Sequence, residues 1–174
     1  MIQTERLILR SWREADRTPF AVINADPEVA FWLGGPLDRE RSDAAIDRYN
    51  EAIQVRGYGR WAVERIEDGA LIGSVGIMPV HESYPFHGVE IGWRIARPEW
   101  RKGYGGESAQ AAIRDGFERI GLDEIVSFTT ASNVASRLLL DRVGLVRDPT
   151  RDFDHPQLDE QHPLRPHVFY FSRP

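Results

Sequence analysis

A stretch near the middle of the chain combines the residue types that bind a phosphate group. It is the run Trp100-Arg101-Lys102-Gly103-Tyr104-Gly105-Gly106. Residues 89–96 before it have a strand pattern, and residues 103–120 have apolar residues at helical spacing. The first turn of a helix leaves backbone N–H groups without partners, and glycines let an anion approach them closely. We therefore expect an anion site at this strand-to-helix turn.

Two common phosphate-binding motifs do not fit this stretch. The P-loop requires Gly-Lys-Ser or Gly-Lys-Thr, and neither tripeptide occurs in the chain. The dinucleotide-binding motif requires a glycine three residues after Gly105, where this chain has Ser108. The pattern that remains is three residues followed by Gly-x-Gly. A glycine-rich connector without any ligand would have the same pattern.

Three segments together resemble the GNAT superfamily of N-acetyltransferases. Residues 100–105 are similar to its acyl-CoA loop, Gln/Arg-x-x-Gly-x-Gly/Ala, with Trp100 at the position of the usual Gln or Arg. Residues 133–145 resemble the family's second cofactor segment. Residues 4–10 resemble the first strand of the branch that contains the ribosomal-protein N-terminal acetyltransferases. The resemblance covers most of the chain and implies that an acetyl group moves from acetyl-CoA to an amine without a covalent intermediate.

The resemblance also implies which residues bind the cofactor. The pyrophosphate would lie on the loop residues Arg101, Lys102, Gly103, Tyr104, Gly105 and Gly106. A backbone N–H near Ile95 would stabilise the oxyanion at the point where the family's sheet splays. Asn133 would bond the pantetheine arm, and the Ser136 hydroxyl would face the sulfur. Asn133 is also a natural N-cap for the following helix, a role that needs no cofactor.

Glu90 is the candidate general base and a candidate contact for the acceptor. It is a lone carboxylate on an otherwise apolar strand, near the expected splay, and it would take a proton from the amine directly or through a water. The alternative is that Glu90 faces solvent or pairs with an arginine such as Arg94. Strand alternation places Glu90, Gly92 and Arg94 on one face unless a bulge near Trp93 intervenes.

The step that protonates the leaving thiolate has no obvious donor in this sequence. Many members of the resembled family have a tyrosine for this step where this chain has Leu140, which has no proton to give. Ser136 or a water remains for the role, so Ser136 is a second candidate catalytic residue.

Two further groups of residues suggest an acceptor pocket. Phe31 and Trp32 lie between the first two predicted helices, where the resembled family forms this pocket, and they are candidate substrate contacts. His155, His162 and His167 lie in a long irregular segment, residues 152–166 and the residue after it. Their spacing matches no compact metal motif, so we predict no metal site and expect either a solvated loop or one that closes over the acceptor.

Periodicity and turn residues predict the elements that position these residues. Strands are expected at residues 6–10, 61–66, 71–77, 89–96, 124–130, 145–148 and 168–171, and helices at 14–24, 39–54, 103–120 and 134–142. This order indicates an α+β fold, a single domain over residues 1–174. With the resemblance, it implies a mixed, mostly antiparallel sheet of six to seven strands, splayed at the fourth and flanked by about four helices.

Composition narrows the possible functions. The net charge of −5 argues against nucleic acid as the main partner, and the absence of cysteine excludes a cysteine nucleophile. The sequence contains no apolar run long enough for a membrane span and no signal-peptide pattern, so we expect a cytoplasmic monomer or homodimer with no membrane partner. Two other interpretations remain at this level: a non-catalytic acyl-CoA-binding module, and a protein that holds a nucleotide in the glycine loop.

Overall fold

The computed structural model describes all of residues 1–174 and is built around one nine-stranded sheet. The strands are β1 (Ile2–Gln3), β2 (Leu7–Arg10), β3 (Arg60–Arg65), β4 (Leu71–Pro79), β5 (Val89–Ile95), β6 (Ile125–Thr130), β7 (Val146–Arg147), β8 (Phe153–Asp154) and β9 (Pro166–Ser172). Their order in the sheet is β1-β2-β3-β4-β5-β6-β9-β7, and β8 also pairs with β9. The β5–β6 pair is parallel, and the other pairs are antiparallel. The sheet is therefore mixed and mostly antiparallel, as predicted.

Five α-helices cover the sheet. They are α1 (Arg17–Ala25), α2 (Pro27–Ala30), α3 (Arg39–Arg56), α4 (Tyr104–Glu118) and α5 (Val134–Arg142). On one face, apolar residues of β2–β6 and β9 pack with α4 and α5 in a core that includes Ile91, Ile113 and Leu140. On the other face, Phe20 and Ile46 of α1 and α3 pack on Ala62 of β3. These two layers keep residues of the two sheet faces in separate environments.

The predicted elements are present, with three additions. Strands β1 and β8 are two residues long, too short to show the alternation that identifies a strand from sequence. Helix α2 is one turn, formed because the Asp26 carboxylate accepts hydrogen bonds from the N–H groups of Glu28 and Val29, with Pro27 in the first turn. No helix is long and apolar enough to cross a membrane.

The sheet opens between β5 and β6, which confirms the predicted splay at the fourth of the predicted strands. A single residue pair, Glu90 with Val126, joins β5 and β6, although both strands continue well beyond it. The Ser127 hydroxyl then donates to the Ile91 carbonyl at 3.0 Å. Beyond this point β5 stays paired only with β4, up to Ile95. A gap therefore lies beside the C-terminal half of β5.

Candidate active site

Backbone groups of β5 face the gap. The register between β4 and β5 is uniform, so β5 has no bulge near Trp93 in its pairing with β4. Ala96 N–H donates to the Ile72 carbonyl at 2.8 Å. Because the N–H groups of an antiparallel strand point alternately to its two sides, those of Arg94 and Gly92 also point toward β4. By this alternation the N–H groups of Trp93 and Ile95 point away from β4 and into the gap. They are suitably placed donors for a developing oxyanion.

The glycine-rich loop forms the N-terminus of α4, as predicted. Gly103 is the N-cap residue in a left-handed conformation, φ 87°, and has no side chain to cap the helix. The first intrahelical bond runs from Glu107 N–H to the Gly103 carbonyl at 3.1 Å, which leaves the N–H groups of Tyr104, Gly105 and Gly106 without helical acceptors. The loop therefore presents a set of free donors at the positive end of the helix dipole.

Side chains of the loop mostly serve its shape. The Tyr104 ring is buried in the core, so only its backbone can meet a cofactor. The Lys102 ammonium lies 3.0 Å from a Glu99 carboxylate oxygen, and the Trp100 indole N–H donates to the Ile95 carbonyl at 2.7 Å. Arg101 is exposed and adopts a positive φ of 63°, which is uncommon for a residue other than glycine. Trp100 thus fastens the loop to the end of β5.

An ion-pair network that the sequence did not indicate holds the loop in place. The Arg6 guanidinium lies 2.6 Å from the Glu107 carboxylate, donates to the Lys102 carbonyl at 3.0 Å, and stacks 4.7 Å above the Tyr104 ring. The Glu107 carboxylate also accepts the Thr4 hydroxyl at 2.6 Å. Because its carboxylate is fully engaged, Glu107 adds little repulsion toward an anion at the helix terminus.

Asn133 caps helix α5, as predicted from its position. Its Oδ1 accepts the Ser136 N–H at 3.1 Å, and its Nδ2 donates to the Thr129 hydroxyl at 3.2 Å. Its side chain is almost fully buried beside β6. One amide hydrogen of Asn133 remains for another acceptor, because the cap uses only the oxygen.

Replacement of Asn133 is expected to separate the cap from a cofactor contact. Asn133→Ala should lower the free energy of unfolding by about 1 kcal/mol through the lost cap and should weaken binding of acetyl-CoA. Asn133→Asp keeps the capping oxygen but has no amide donor, so stability should recover while acetyl-CoA binding stays weak. Denaturant unfolding and calorimetric titration measure the two effects. Full acetyl-CoA affinity in Asn133→Asp would show that the side chain only caps the helix.

Ser136 and Leu140 lie one helical turn apart on α5 but in different environments. Ser136 is half-buried, and its hydroxyl makes no hydrogen bond within the protein. Leu140 is fully buried in the core formed with α4. Its neighbour Leu139 packs against the loop glycines: a Cβ on Gly105 would lie 3.3 Å from Leu139 Cδ2. Helix α5 therefore contacts the loop directly, with the Ser136 hydroxyl available for a ligand.

Leu140→Tyr is expected to destabilise the protein by about 1–3 kcal/mol, because the larger ring overpacks a closed core position. It should not restore turnover to Ser136→Ala. Leu138→Tyr is the matched control, because Leu138 is 59% exposed on the same helix and should tolerate the ring. Chemical unfolding and steady-state rates give the comparison. A stable Leu140→Tyr variant that rescues Ser136→Ala would place residue 140 at the sulfur instead.

Glu90 forms an ion pair, but with Arg60 rather than with Arg94. Arg60 Nη2 lies 2.8 Å from Glu90 Oε1, and both side chains are about one-fifth exposed (18% and 23%). The other carboxylate oxygen, Oε2, makes no hydrogen bond within the protein. Glu90 lies on the face of β5 opposite to Ile91 and Ile95, since side chains alternate along a strand. A pairing role and a proton-accepting role are compatible with this arrangement, because they use different oxygens.

Gly92 leaves the space that the Arg60 side chain needs to reach Glu90, and Gly76 lets the β3 backbone approach closely. Arg60, Gly76 and Gly92 are direct neighbours across β3, β4 and β5. A Cβ on Gly92 would lie 2.3 Å from Arg60 Nη2, so any other residue would displace the guanidinium. A glycine at the same cross-strand position of adjacent strands is the sequence signal that could have indicated this contact.

Phe31 and Trp32 form a partly open aromatic pair. Their rings meet edge to face with centroids 4.7 Å apart, and Phe31 is 56% exposed. Glu28 of helix α2, just before them, forms an ion pair at 2.8 Å with Arg97, which lies two residues after the end of β5. This tie indicates that the pair lies toward the C-terminal end of β5, whereas Glu90 is at the N-terminal end. The structure brings neither aromatic residue into contact with Glu90.

The histidine-rich segment packs on the Glu90 side of the sheet. His155 Nε2 and the Tyr84 hydroxyl are 2.9 Å apart, and the ring centroids of His155 and His167 are 5.0 Å apart with the rings tilted by 52°. Burial lowers the pKa of both histidines, and burial together with Glu90 raises the pKa of Tyr84 to about 12. His155 and His167 thus pack against other residues, whereas most of residues 156–163 are exposed. No group of three or more histidine or acidic side chains is placed to hold a metal ion.

The fold and the site together define a class of protein. A parallel strand pair that opens beside a glycine-rich helix N-terminus offers free backbone donors for an anion and for a developing oxyanion, as a group-transfer site for a phosphate-containing cofactor requires. The chain belongs to the acetyltransferase (GNAT) domain family, whose model matches residues 6–146. It is accordingly an acetyl-transferring enzyme of a family that uses acetyl-CoA.

Similar proteins agree with this family. The uncharacterized N-acetyltransferase YoaA of Bacillus subtilis is 27% identical over 150 residues, 85% of this chain and 84% of that protein. A structure from Vibrio cholerae assigned as a ribosomal-protein-serine acetyltransferase has a TM-score of 0.73 at 22% identity, covering 99% of this chain and 97% of that one. Spermidine N-acetyltransferase from Vibrio cholerae, in complex with CoA and spermine, has a TM-score of 0.76 at 17% identity, covering 98% and 96%. At these identities the two structures establish the shared fold.

Proposed function

We propose that this protein transfers the acetyl group of acetyl-CoA to an amine by direct attack of the amine, within a single domain of residues 1–174. The observation that carries the proposal is the gap between β5 and β6, which opens beside the uncapped N-terminus of α4. Strand β9 lies beyond residue 146, where the family match ends, but it belongs to the same sheet as the matched strands. This supports a single domain. A chain without cysteine has no thiol to carry the acetyl group between the substrates.

In this proposal the cofactor binds mainly to backbone groups. The N–H groups of residues 101–106 bind the pyrophosphate, and the N–H of Ile95 stabilises the oxyanion. The free amide hydrogen of Asn133 bonds the pantetheine arm, and the Ser136 hydroxyl lies near the sulfur. A surface groove of about 760 Å³ continues from Gly103 and Gly106 along α4 to Arg142, and its size suits the rest of the coenzyme.

Glu90 acts as the base in this proposal, through its free oxygen Oε2 or through a water. The amine approaches on the face of β5 that carries Glu90, and the acetyl thioester lies in the gap. Proton removal is required because an ammonium ion has no lone pair for attack on the thioester. Phe31 and Trp32 contribute an apolar wall at the other end of this face.

The acceptor is an amine of a protein N-terminus or of a small molecule. The N-terminal resemblance of residues 4–10 and the Vibrio cholerae ribosomal-protein-serine acetyltransferase structure favour the first. The complex of spermidine N-acetyltransferase illustrates the second on the same fold.

Two measurements test the proposal. Acetyl-CoA and CoA should raise the melting temperature, whereas ATP and NAD should not, since only the coenzyme matches the gap and the loop together. Free thiol should then appear when acetyl-CoA is mixed with N-terminal peptides or small amines. Stabilisation without thiol release from any amine would leave a binding module, and stabilisation by ATP alone would indicate a nucleotide site.

A further inference from the structure

A guanidinium without a counter-ion lies on the acceptor face of the sheet. Arg94 on β5 is half-buried and points to the same side as Glu90. It forms no ion pair, whereas the neighbouring Arg60 is paired with Glu90. Burial, opposed by Tyr49 and reinforced by Arg60, lowers the pKa of Arg94. An arginine nevertheless keeps its charge, and removing that charge from water without a partner costs free energy that a bound anion would recover.

Buried polar residues hold this guanidinium in a fixed orientation. Arg94 Nη1 donates to Asn24 Oδ1, and Asn24 Nδ2 donates to the Ser42 hydroxyl at 2.7 Å. Asn24 and Ser42 are both completely buried. The Ser42 contact orients the Asn24 amide, so its oxygen faces Arg94. Two buried polar side chains are thus used to orient a cation that has no anion in the protein.

The remaining donors of Arg94 are open to a ligand. Asn24 is the hydrogen-bond partner of one guanidinium nitrogen, Nη1, and the other two have no partner. Among the polar side-chain atoms that are shielded from solvent, Asp43 Oδ1 and Arg137 Nε lack a hydrogen-bond partner. The unpaired nitrogens of Arg94 do not belong to this set, so solvent reaches them. A guanidinium edge with two adjacent free donors matches the two oxygens of a carboxylate.

We propose that the acceptor is an amine that carries a carboxylate, and that Arg94 binds this carboxylate. The inference rests on the proposed function, because it specifies the acceptor for the same site. Arg94 lies between Trp93 and Ile95, whose N–H groups face the gap, and its side chain projects to the acceptor face with that of Glu90. An acceptor whose amine enters the gap from this face therefore has its carboxylate within reach of Arg94.

Pairs of acceptors that differ only in charge test this inference. Glycine, β-alanine, 4-aminobutyrate and 6-aminohexanoate are compared with their carboxamides, with thiol release from acetyl-CoA as the readout. At least one acid should exceed its amide in kcat/KM by about tenfold or more, mainly through KM, since charge-assisted hydrogen bonds are strong. The chain length that gives the largest ratio reports the distance from the gap to Arg94.

Substitution of the arginine completes the test. Arg94→Gln should remove the preference for the acid, and Arg94→Lys should restore part of it. Arg48→Gln, the same change at an exposed arginine of α3, should leave the preference intact. Equal rates for acids and amides, or a preference that survives in Arg94→Gln, would overturn the inference while acetyl transfer stands. If no amine releases thiol, the proposed function fails; binding of the acids to the CoA complex, measured by calorimetry and abolished in Arg94→Gln, would still support the carboxylate site.

Discussion

Glu90→Gln is expected to lower kcat by about 10²–10⁴-fold, the usual contribution of a general base. Glutamine keeps the size of the side chain and can still accept a hydrogen bond from Arg60, but it cannot take a proton from the amine at neutral pH. Acetyl-CoA affinity should stay unchanged, because Glu90 lies on the face of β5 away from α4 and α5. Steady-state thiol release and calorimetric titration measure the two quantities.

Two further variants identify the cause of such a loss. Glu124→Gln removes another ion-paired carboxylate, one bound to Arg151 and Arg173 at the start of β6, and should leave kcat unaffected. Arg60→Gln breaks the ion pair but keeps the carboxylate. If the only role of Glu90 were its ion pair with Arg60, Glu90→Gln and Arg60→Gln would lower kcat equally. A loss below threefold in Glu90→Gln would transfer the base role to a water or to His155.

Gly103→Val is expected to weaken acetyl-CoA binding by at least tenfold, equivalent to about 1.4 kcal/mol. Gly103 has φ 87°, a conformation that valine rarely adopts, and a Cβ there would lie 3.2 Å from Arg6 Nη2. The substitution therefore disturbs both the N-terminus of α4 and the arginine that holds the loop. Calorimetric titration with acetyl-CoA measures the loss.

Gly121→Val is the matched control for backbone strain. Gly121 has φ 78° at the other end of α4, and a Cβ there would meet no atom within 4 Å. It should cost similar stability without any loss of cofactor affinity. Gly105→Val is a poorer test, because its Cβ would press on Leu139 and move α5 as well. If a folded Gly103→Val variant bound acetyl-CoA with wild-type affinity, the loop would not be part of the cofactor site.

Local signals in the sequence predicted most of the fold. Asp38 caps α3 by accepting the Arg41 N–H at 2.8 Å, and Gly69 closes the predicted β3–β4 hairpin in a left-handed conformation. Asn133 caps α5 in the predicted way. Caps and turns depend on neighbours within a few residues, so a single sequence is enough to identify them.

Contacts between distant segments could not be predicted in the same way. The sequence predicts Glu90 as a general base, with solvent exposure or pairing with an arginine such as Arg94 as the alternative. Its ion-pair partner Arg60 is 30 residues away and becomes a neighbour only through the register of three strands. The Arg94–Asn24 contact likewise depends on how α1 packs on the sheet. Registers and helix packing are set by the whole core, which is why these pairs have no local pattern.

The gap between β5 and β6 passes through the sheet, so its two openings lie on opposite faces. The loop and α5 flank one opening, whereas Glu90 and Arg94 flank the other. A cofactor and an acceptor that enter from opposite faces do not obstruct each other, and the chain has no thiol that could store the acetyl group between visits. Under the proposed direct attack, catalysis requires both substrates on the enzyme at once. Entry from opposite faces then allows either substrate to arrive first and the acetylated product to leave while CoA is still bound.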